Sequence, residues 1–256
     1  MVFTLTQITA FFLVFGRLAG MVTIAPFFNK KQVFAMSKVT LIFWASTLLV
    51  FLVPLPITPP DTLITFVLAL VVEVLIGITI GFVSEAILVA IEFGGSLMDT
   101  QAGLSVASLL NPLTGRTSTL ISLLLEWTSI MMFLQINGHH MVIAMVHKSF
   151  SLIPIGVIPN FSLAGEYIAN LGTDLFGLAL QLSVPILLIV FLVDFSFGML
   201  SRVAPQVNVF QLGFQLKPTI SLIIFLAIAP GMIQSIFRML ENLTEHTIRV
   251  LYLMQL

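Results

Sequence analysis

The stretch TLITFVLALVVEVLIGITIGFVSEAILVAIEF, Thr62 to Phe93, runs for 32 residues without a proline or a basic residue. Built as one straight helix it would measure about 48 Å, against about 30 Å for the hydrocarbon core of a bilayer. Three acids interrupt its apolar run: Glu73, Glu85 and Glu92. Glu85 and Glu92, seven residues apart, share one helical face, and Glu73 lies about a third of a turn away from Glu85. A helix this long, with acids on two faces, is predicted to bury them among partner helices or to leave the membrane.

Working outward, five further apolar runs read as long helices: Thr4 to Phe28, Val39 to Ile57, Thr117 to Ile136, Leu175 to Leu200 and Pro218 to Phe237. The fold class is therefore all-α, an integral membrane-type protein of helical hairpins with about six long hydrophobic helices. Met141 to Ile155 is too short to span and carries His147 and Lys148, so it reads as a re-entrant or interfacial segment. Leu175 to Leu200 is again over-long, about 39 Å at the helical rise. The chain is read as a single helical domain over residues 1–256.

Composition agrees. Hydrophobic residues make up 59% of the chain and charged residues 8%, against roughly half and a quarter in soluble globular proteins. Arg17, Glu73, Glu85, Glu126 and Asp194 are stranded inside the apolar runs. At about 2.5–3.5 kcal/mol each, five such charges facing lipid would cost on the order of 12 kcal/mol or more, comparable to the stability of a whole domain. They must find protein, water or one another. Arg17 and Asp194 are candidates for a buried pair with each other, for pairs with neighbouring subunits, or for an ion pathway.

A net charge of −1 gives no reason to expect nucleic acid as a partner. The absence of cysteine excludes disulfide scaffolds and thiol nucleophiles. No basic residue precedes the first apolar run, while Lys30, Lys31 and Lys38 follow it. That pattern argues against a cleaved signal peptide and places the N-terminus outside. In this orientation the cytoplasmic loops carry Lys30, Lys31, Lys38, Arg116, Arg202 and Lys217, and the external parts carry Lys148, Arg238 and Arg249.

Gly16-Arg17-Leu18-Ala19-Gly20 and Gly77-Ile78-Thr79-Ile80-Gly81 both match the small-xxx-small pattern that lets helix backbones approach closely in membranes. Pro54, Pro56, Pro59 and Pro60 make a stiff connection. Gly94-Gly95 is predicted to end the long third helix. From Asp99 to Thr117 the chain is too interrupted for a span and too apolar for a solvated loop, which predicts a segment folded back onto the protein.

Catalytic signatures are absent: there is no HExxH, Walker loop, GxSxG or dinucleotide fingerprint. His139 and His140 are adjacent, so their side chains are expected to diverge, and no carboxylate completes a ligand set with His140 and His147. The chain is read as a non-enzyme with no metal and no cofactor.

The connecting motifs, taken in order, resemble those of the FliR family, the R component of the flagellar type III export gate. The strongest match is Arg202-Val203-Ala204-Pro205-Gln206-Val207-Asn208-Val209-Phe210, leading to Lys217. Asn137-Gly138-His139-His140 after Phe133-Leu134 resembles the family's Gly-His-His turn, and Ser149-Phe150 with Pro154 and Gly156 its next element. Gln101-Ala102-Gly103-Leu104-Ser105 and Asn111-Pro112 fall where the family has its loop after the third helix, and Arg17 with Pro26 matches the first helix. The similarity covers nearly the whole chain. Virulence secretion systems have R-like subunits of the same fold.

This resemblance implies helical hairpins that assemble with several copies of FliP-like and FliQ-like subunits into a spiral cone, in contact with FlhB-like and FlhA-like export components. It implies the bacterial inner membrane and the flagellar basal body, with membrane lipid around the chain and unfolded protein substrates passing through the channel. It places a plug in the loop at residues 101–116, with Gln101, Gly103, Leu104, Val106, Leu109, Leu110, Asn111, Pro112 and Arg116 as its residues. Leu104, Val106, Leu109 and Leu110 are suited to seal a pore by dewetting. Arg17, Glu73, Glu85, Glu92, Glu126 and Asp194 are then expected at subunit contacts or on the channel. Arg202, Pro205, Gln206, Asn208, Phe210 and Lys217 form a motif loop for a partner. The competing reading is a proton- or ion-coupled secondary transporter using Asp194, Glu85 and Arg17 as a relay. The halves show no matched broken segments of the kind such transporters carry.

Overall fold

The structure is a computed structural model and describes residues 5–26, 28, 33–54, 62–105 and 119–255. Among the described residues every regular element is a helix: α1 (Leu5–Ile24), α2 (Ala35–Leu49), α3 (Leu63–Ala102), α4 (Leu120–Gln135), α5 (Gly138–Leu152), α6 (Phe161–Val203), α7 (Val209–Glu241) and α8 (Leu243–Gln255). The all-α class read from the apolar runs holds.

Several boundaries differ from the sequence expectation, each for a physical reason. The third helix does not stop at Gly94-Gly95 but continues to Ala102, 40 residues in all. Those glycines serve contact instead: a Cβ on Gly95 would lie 2.6 Å from Ser122 Cα, and one on Gly94 would lie 3.0 Å from Ala179 O. The real stop is Gly103, at φ +79°. Leu104 N–H donates to Asp99 O at 3.0 Å and Gly103 N–H to Thr100 O at 3.2 Å, which is the Schellman closure of a helix C-terminus.

The second apolar run is a helix of only 15 residues, about 22 Å long and too short to cross the hydrocarbon core. Beyond Leu49 the chain turns, with Val53 N–H on Leu49 O at 3.0 Å, and Pro54 disfavours helix at the residue before it. The run Leu175 to Leu200 lies inside the 43-residue α6. That helix starts earlier because Asn160 Oδ1 accepts Ser162 N–H at 3.1 Å, an N-cap upstream of a polar first stretch.

Four helical stretches are long and apolar enough to cross a membrane: Thr6–Ile24, Leu63–Ala102, Phe161–Val203 and Val209–Gln255. α4 and α5, bent by 64°, could together make a fifth. The difference from six expected spans comes from the 15-residue α2 and from the 16-residue α4, which spans only when joined with α5. The bend falls at Asn137, whose φ is 59°, and Gly138, where a Cβ would collide with the Phe133 ring. The short stretch expected at Met141 to Ile155 is α5 and its C-terminal turn.

The chain divides into two compact units. The first comprises Met1–Ile87, Phe133–Gly172 and Leu240–Leu256. Its core joins Leu13, Leu18 and Met21 of α1 to Ile76 and Ile80 of α3, with Phe133, Val146 and Phe150 also buried. α1 and α3 meet through both small-xxx-small motifs. A Cβ on Gly77 would fall inside the contact radius of the Arg17 carbonyl, and one on Gly20 inside that of Val74. A Cβ on Gly81 would sit 2.8 Å from Met21 O. Reciprocal glycines therefore set the closeness of this pair.

The second unit comprises Leu88–Met132 and Thr173–Met239. It buries Ile91, Met98, Ile121, Leu125, Ile186, Val190 and Ile236. Phe93 and Phe176 stack at 5.5 Å between centroids. Along α6 a long run of large apolar side chains stays exposed, among them Phe176, Leu188, Phe191, Phe195, Met199 and Val203.

Candidate functional site

Three polar arrangements organise the described residues. The first is in the first unit. Arg17, on the α1 face toward α3, has no exposed surface, and neither does Glu73. Arg17 Nε donates to Glu73 Oε2 at 2.6 Å, Nη1 to Ser149 Oγ at 2.9 Å and Nη2 to the Ile153 carbonyl at 3.1 Å. The guanidinium carbon lies 4.0 Å from the centroid of the Phe150 ring. Glu73 Oε1 in turn accepts Gly156 N–H at 3.1 Å, from a glycine held at φ +84°. One planar cation thus ties α1, α3 and the end of α5 in a single network, with both charges hydrogen-bonded as burial demands.

The Arg17–Asp194 pair considered from the sequence is replaced by two separate pairs: Arg17 takes Glu73, and Asp194 takes Lys217. Ser149, Phe150 and Gly156, noticed in the sequence only as part of a motif, form Arg17's cradle. They were missed as a site because they lie more than a hundred residues away in the chain.

The second arrangement is at the start of α4, in the second unit. Asp99 is fully buried. Its carboxylate accepts the Thr119 hydroxyl, Ile121 N–H at 3.0 Å and Ser122 N–H at 2.8 Å. The two amides are orphan donors of the first helical turn, a position where a negative charge is also favoured by the helix dipole. Thr119 and Ser122 complete the cap, Thr119 N–H donating to Ser122 Oγ at 3.0 Å and that hydroxyl to Thr119 O at 2.9 Å. Sequence reasoning gave Asp99 no role. The available signal was an Asp one turn before a helix-ending glycine.

The third is a cavity of about 500 Å³ in the second unit. Thr100, Gln101, Ala102 and Gly103 from the last turn of α3 form one wall. Phe197 and Asp194 of α6 and Val209, Phe210, Gly213, Phe214 and Lys217 of α7 form the rest. Asp194 and Lys217 are ion-paired here while each keeps part of its surface exposed. The cavity thus gathers members of three groups expected separately: Gln101 and Gly103 from the loop, Asp194 from the stranded charges, Phe210 and Lys217 from the motif.

Other expected residues fall elsewhere. Leu104 follows the Gly103 turn, while Val106, Leu109, Leu110, Asn111, Pro112 and Arg116 lie outside the described residues. Glu85, Glu92 and Glu126 are half-buried on α3 and α4. Arg202 is exposed in the last turn of α6, and Pro205 and Gln206 are exposed after it. Asn208 is the N-cap of α7, its Oδ1 accepting Gln211 N–H at 3.2 Å. His139 and His140 do not diverge: their ring centroids are 4.1 Å apart, because neighbouring positions on a helix differ by only about 100° and planar rings can lean across that step.

Residues 8–243 match the family described as bacterial export proteins, family 1. The chain is similar to the flagellar biosynthetic protein FliR of Bacillus subtilis (strain 168), 30% identical over 94% of this chain and 93% of the relative. It is 30% identical to FliR of Pectobacterium carotovorum subsp. carotovorum over 84% and 82%. It is also 30% identical to the Yop proteins translocation protein T of Yersinia pestis, over 61% of each. With helices fit to cross a membrane and a family match across nearly all of its length, the chain belongs to the bacterial export proteins, family 1, and within them to the FliR family.

Proposed function

We propose that this chain is a component of a bacterial type III protein export apparatus and serves there as a structural and gating subunit of the export channel, without enzymatic activity of its own. The observation that carries this reading is the length of exposed apolar surface on α6. Within its 43 residues, the stretch from Phe176 to Val203 exposes large apolar side chains over about 42 Å, against about 30 Å of hydrocarbon. A bilayer covers about 30 Å of that length. Apolar protein covers the rest, which favours FliP-like and FliQ-like subunits as partners over a chain working alone in lipid. FlhB-like and FlhA-like components and the unfolded substrates belong to the same reading, as does an inner-membrane location in the flagellar basal body with the N-terminus outside.

A relay transporter is disfavoured by Arg17. Three of its N–H donors are committed to Glu73, Ser149 and Ile153 in a site with no exposed surface, which suits a structural tie and not a moving proton.

Two experiments test the reading. Co-expressed with FliP and FliQ from the same genome and weighed by native mass spectrometry, the chain is expected in one large complex at one or few copies. A stable monomer or homodimer that ignores both partners would return the transporter to first place. Within the assembled complex, deletion of 106–110 is expected to raise ion leak, because the run Val106-Ala107-Ser108-Leu109-Leu110 is read as the apolar seal. Unchanged conductance removes the plug from the mechanism.

A further inference from the structure

We propose that α8 is a docked strap that sets the Arg17–Glu73 tie by holding the α5–α6 connection in place. The connection, residues 153–160, reaches the tie at two points. The Ile153 carbonyl accepts Arg17 Nη2–H at 3.1 Å, and Gly156 N–H donates to Glu73 Oε1 at 3.1 Å. Its other end is bound to α8. Asn160 N–H donates to the Met254 carbonyl at 2.9 Å, one of the acceptors that the last turn of a helix leaves open. A cavity of about 270 Å³ is lined by Met254 and Gln255 on one side and by Ile153, Pro154 and Val157 on the other, so this join is not closely packed.

α8 has 13 residues, a length at which an isolated helix is marginal in water, so docking keeps it helical. Leu243, Thr247, Val250, Leu251 and Met254 form its buried stripe, spaced as one face of a helix. α8 packs against α5, where Thr244 Oγ1 lies 3.5 Å from Met141 Sδ. Two further side chains join it to the start of α6. His246 Nδ1 is hydrogen-bonded to the Tyr167 hydroxyl at 2.8 Å, and the Arg249 guanidinium carbon stands 5.5 Å from the centroid of the Tyr167 ring. α8 thus grips α5 before the connection and α6 after it. A short helix held by one face belongs to the elements that open locally, ahead of the whole. When it lifts, Asn160 loses its acceptor and Tyr167 its bond to His246. Ile153 and Gly156 then lose the fixed position that two of the tie's hydrogen bonds need. The direct Arg17–Glu73 contact remains, without its support from the connection.

The test is residue-resolved hydrogen exchange on the full-length chain, purified from membranes in detergent. The Asn160 amide reports on the strap and the Gly156 amide on the tie. The Ile121 and Ser122 amides of the second unit serve as controls. Leu251, with no exposed surface, is the first target. In Leu251→Ala, exchange at Asn160 and Gly156 is expected to rise together by about tenfold or more, on the scale of a vacated core position. Ile121 and Ser122 are expected to keep their rates. Tyr167→Phe removes only the hydroxyl that meets His246, and a joint rise of about threefold to tenfold is expected at the same two amides. Faster exchange at Asn160 with Gly156 unchanged overturns the proposal, because α8 then leaves without loosening the tie. No change at either amide overturns it as well, since α8 is then not a separable strap. An equal rise at Ile121 and Ser122 means general loosening and overturns it too. If Leu251→Ala yields no folded protein, Tyr167→Phe carries the test under the same three readings.

Discussion

Replacement of Arg17 by leucine is expected to destabilise the chain by about 3–5 kcal/mol, the range measured when one member of a buried ion pair is removed. The cost arises mainly on the other side of the pair. Glu73 has no exposed surface and keeps only the Gly156 N–H among the partners described for it, so its charge is left in the interior without a counterion. Ser149 and the Ile153 carbonyl lose a donor at the same time. Lysine is not expected to rescue the variant, since a single ammonium cannot reproduce three directed contacts and a stack on Phe150. The double replacement Arg17→Leu with Glu73→Leu is expected to recover part of the loss, because an apolar pair of similar volume leaves no buried charge. The measurement is the melting midpoint and the yield of the detergent-purified complex, with ion conduction of the assembled fraction beside it. Assembly should fall much more than conduction changes. Normal yield and melting in Arg17→Leu would refute the tie.

Gly77→Ala is the second large effect. The added methyl would overlap the Arg17 carbonyl and approach Met21 N at 2.9 Å. Both are backbone atoms, so no side-chain rotation relieves the clash and α1 must move away from α3. Overpacking costs about 1–3 kcal/mol and more where the backbone must shift. Here any shift also lengthens the Arg17–Glu73 contact, since Arg17 and Glu73 stand on the same two helices. Gly16→Ala supplies the internal control. Its methyl would meet the Leu70 Cδ1 atom at 2.7 Å, the tip of a side chain that can turn, so the loss should be small. Gly172→Ala meets nothing within 4 Å and should be neutral or stabilising by up to about 1 kcal/mol through helix propensity. Melting of the four proteins should rank Gly172→Ala at or above the parent, then Gly16→Ala, with Gly77→Ala lowest. Equal melting of the Gly16 and Gly77 variants would mean that the glycine contact does not limit the approach of α1 to α3.

Legibility divides along a physical line. The reciprocal glycines of α1 and α3 could be read in advance because small-xxx-small is a local pattern with one dominant use in apolar helices. Gly94-Gly95 misled for the complementary reason. Two glycines in sequence look like a stop, yet Ser122 and Ala179 pack against them and α3 passes through. The short α2 was overestimated because hydropathy does not register where a turn begins, whereas the Leu49–Val53 hydrogen bond does. At the candidate site, Gln101, Gly103, Asp194, Phe210 and Lys217 were all singled out, but under three separate headings. Their meeting around one cavity was not legible, because it depends on how α3, α6 and α7 pack.

The sequence by itself determined that this is an all-helical chain fit for membranes, that its stranded charges need partners, and to which family it is similar. Those properties follow from composition, periodicity and motif order, each readable over short windows. Only the tertiary structure decided that Arg17 takes Glu73 across 56 residues and Ser149 across 132, that Asp194 takes Lys217, and that Asp99 caps a helix beginning some twenty residues later. A buried charge announces its need for a counterion in the sequence. Which counterion answers depends on which helix faces meet, and that is set by packing between distant segments.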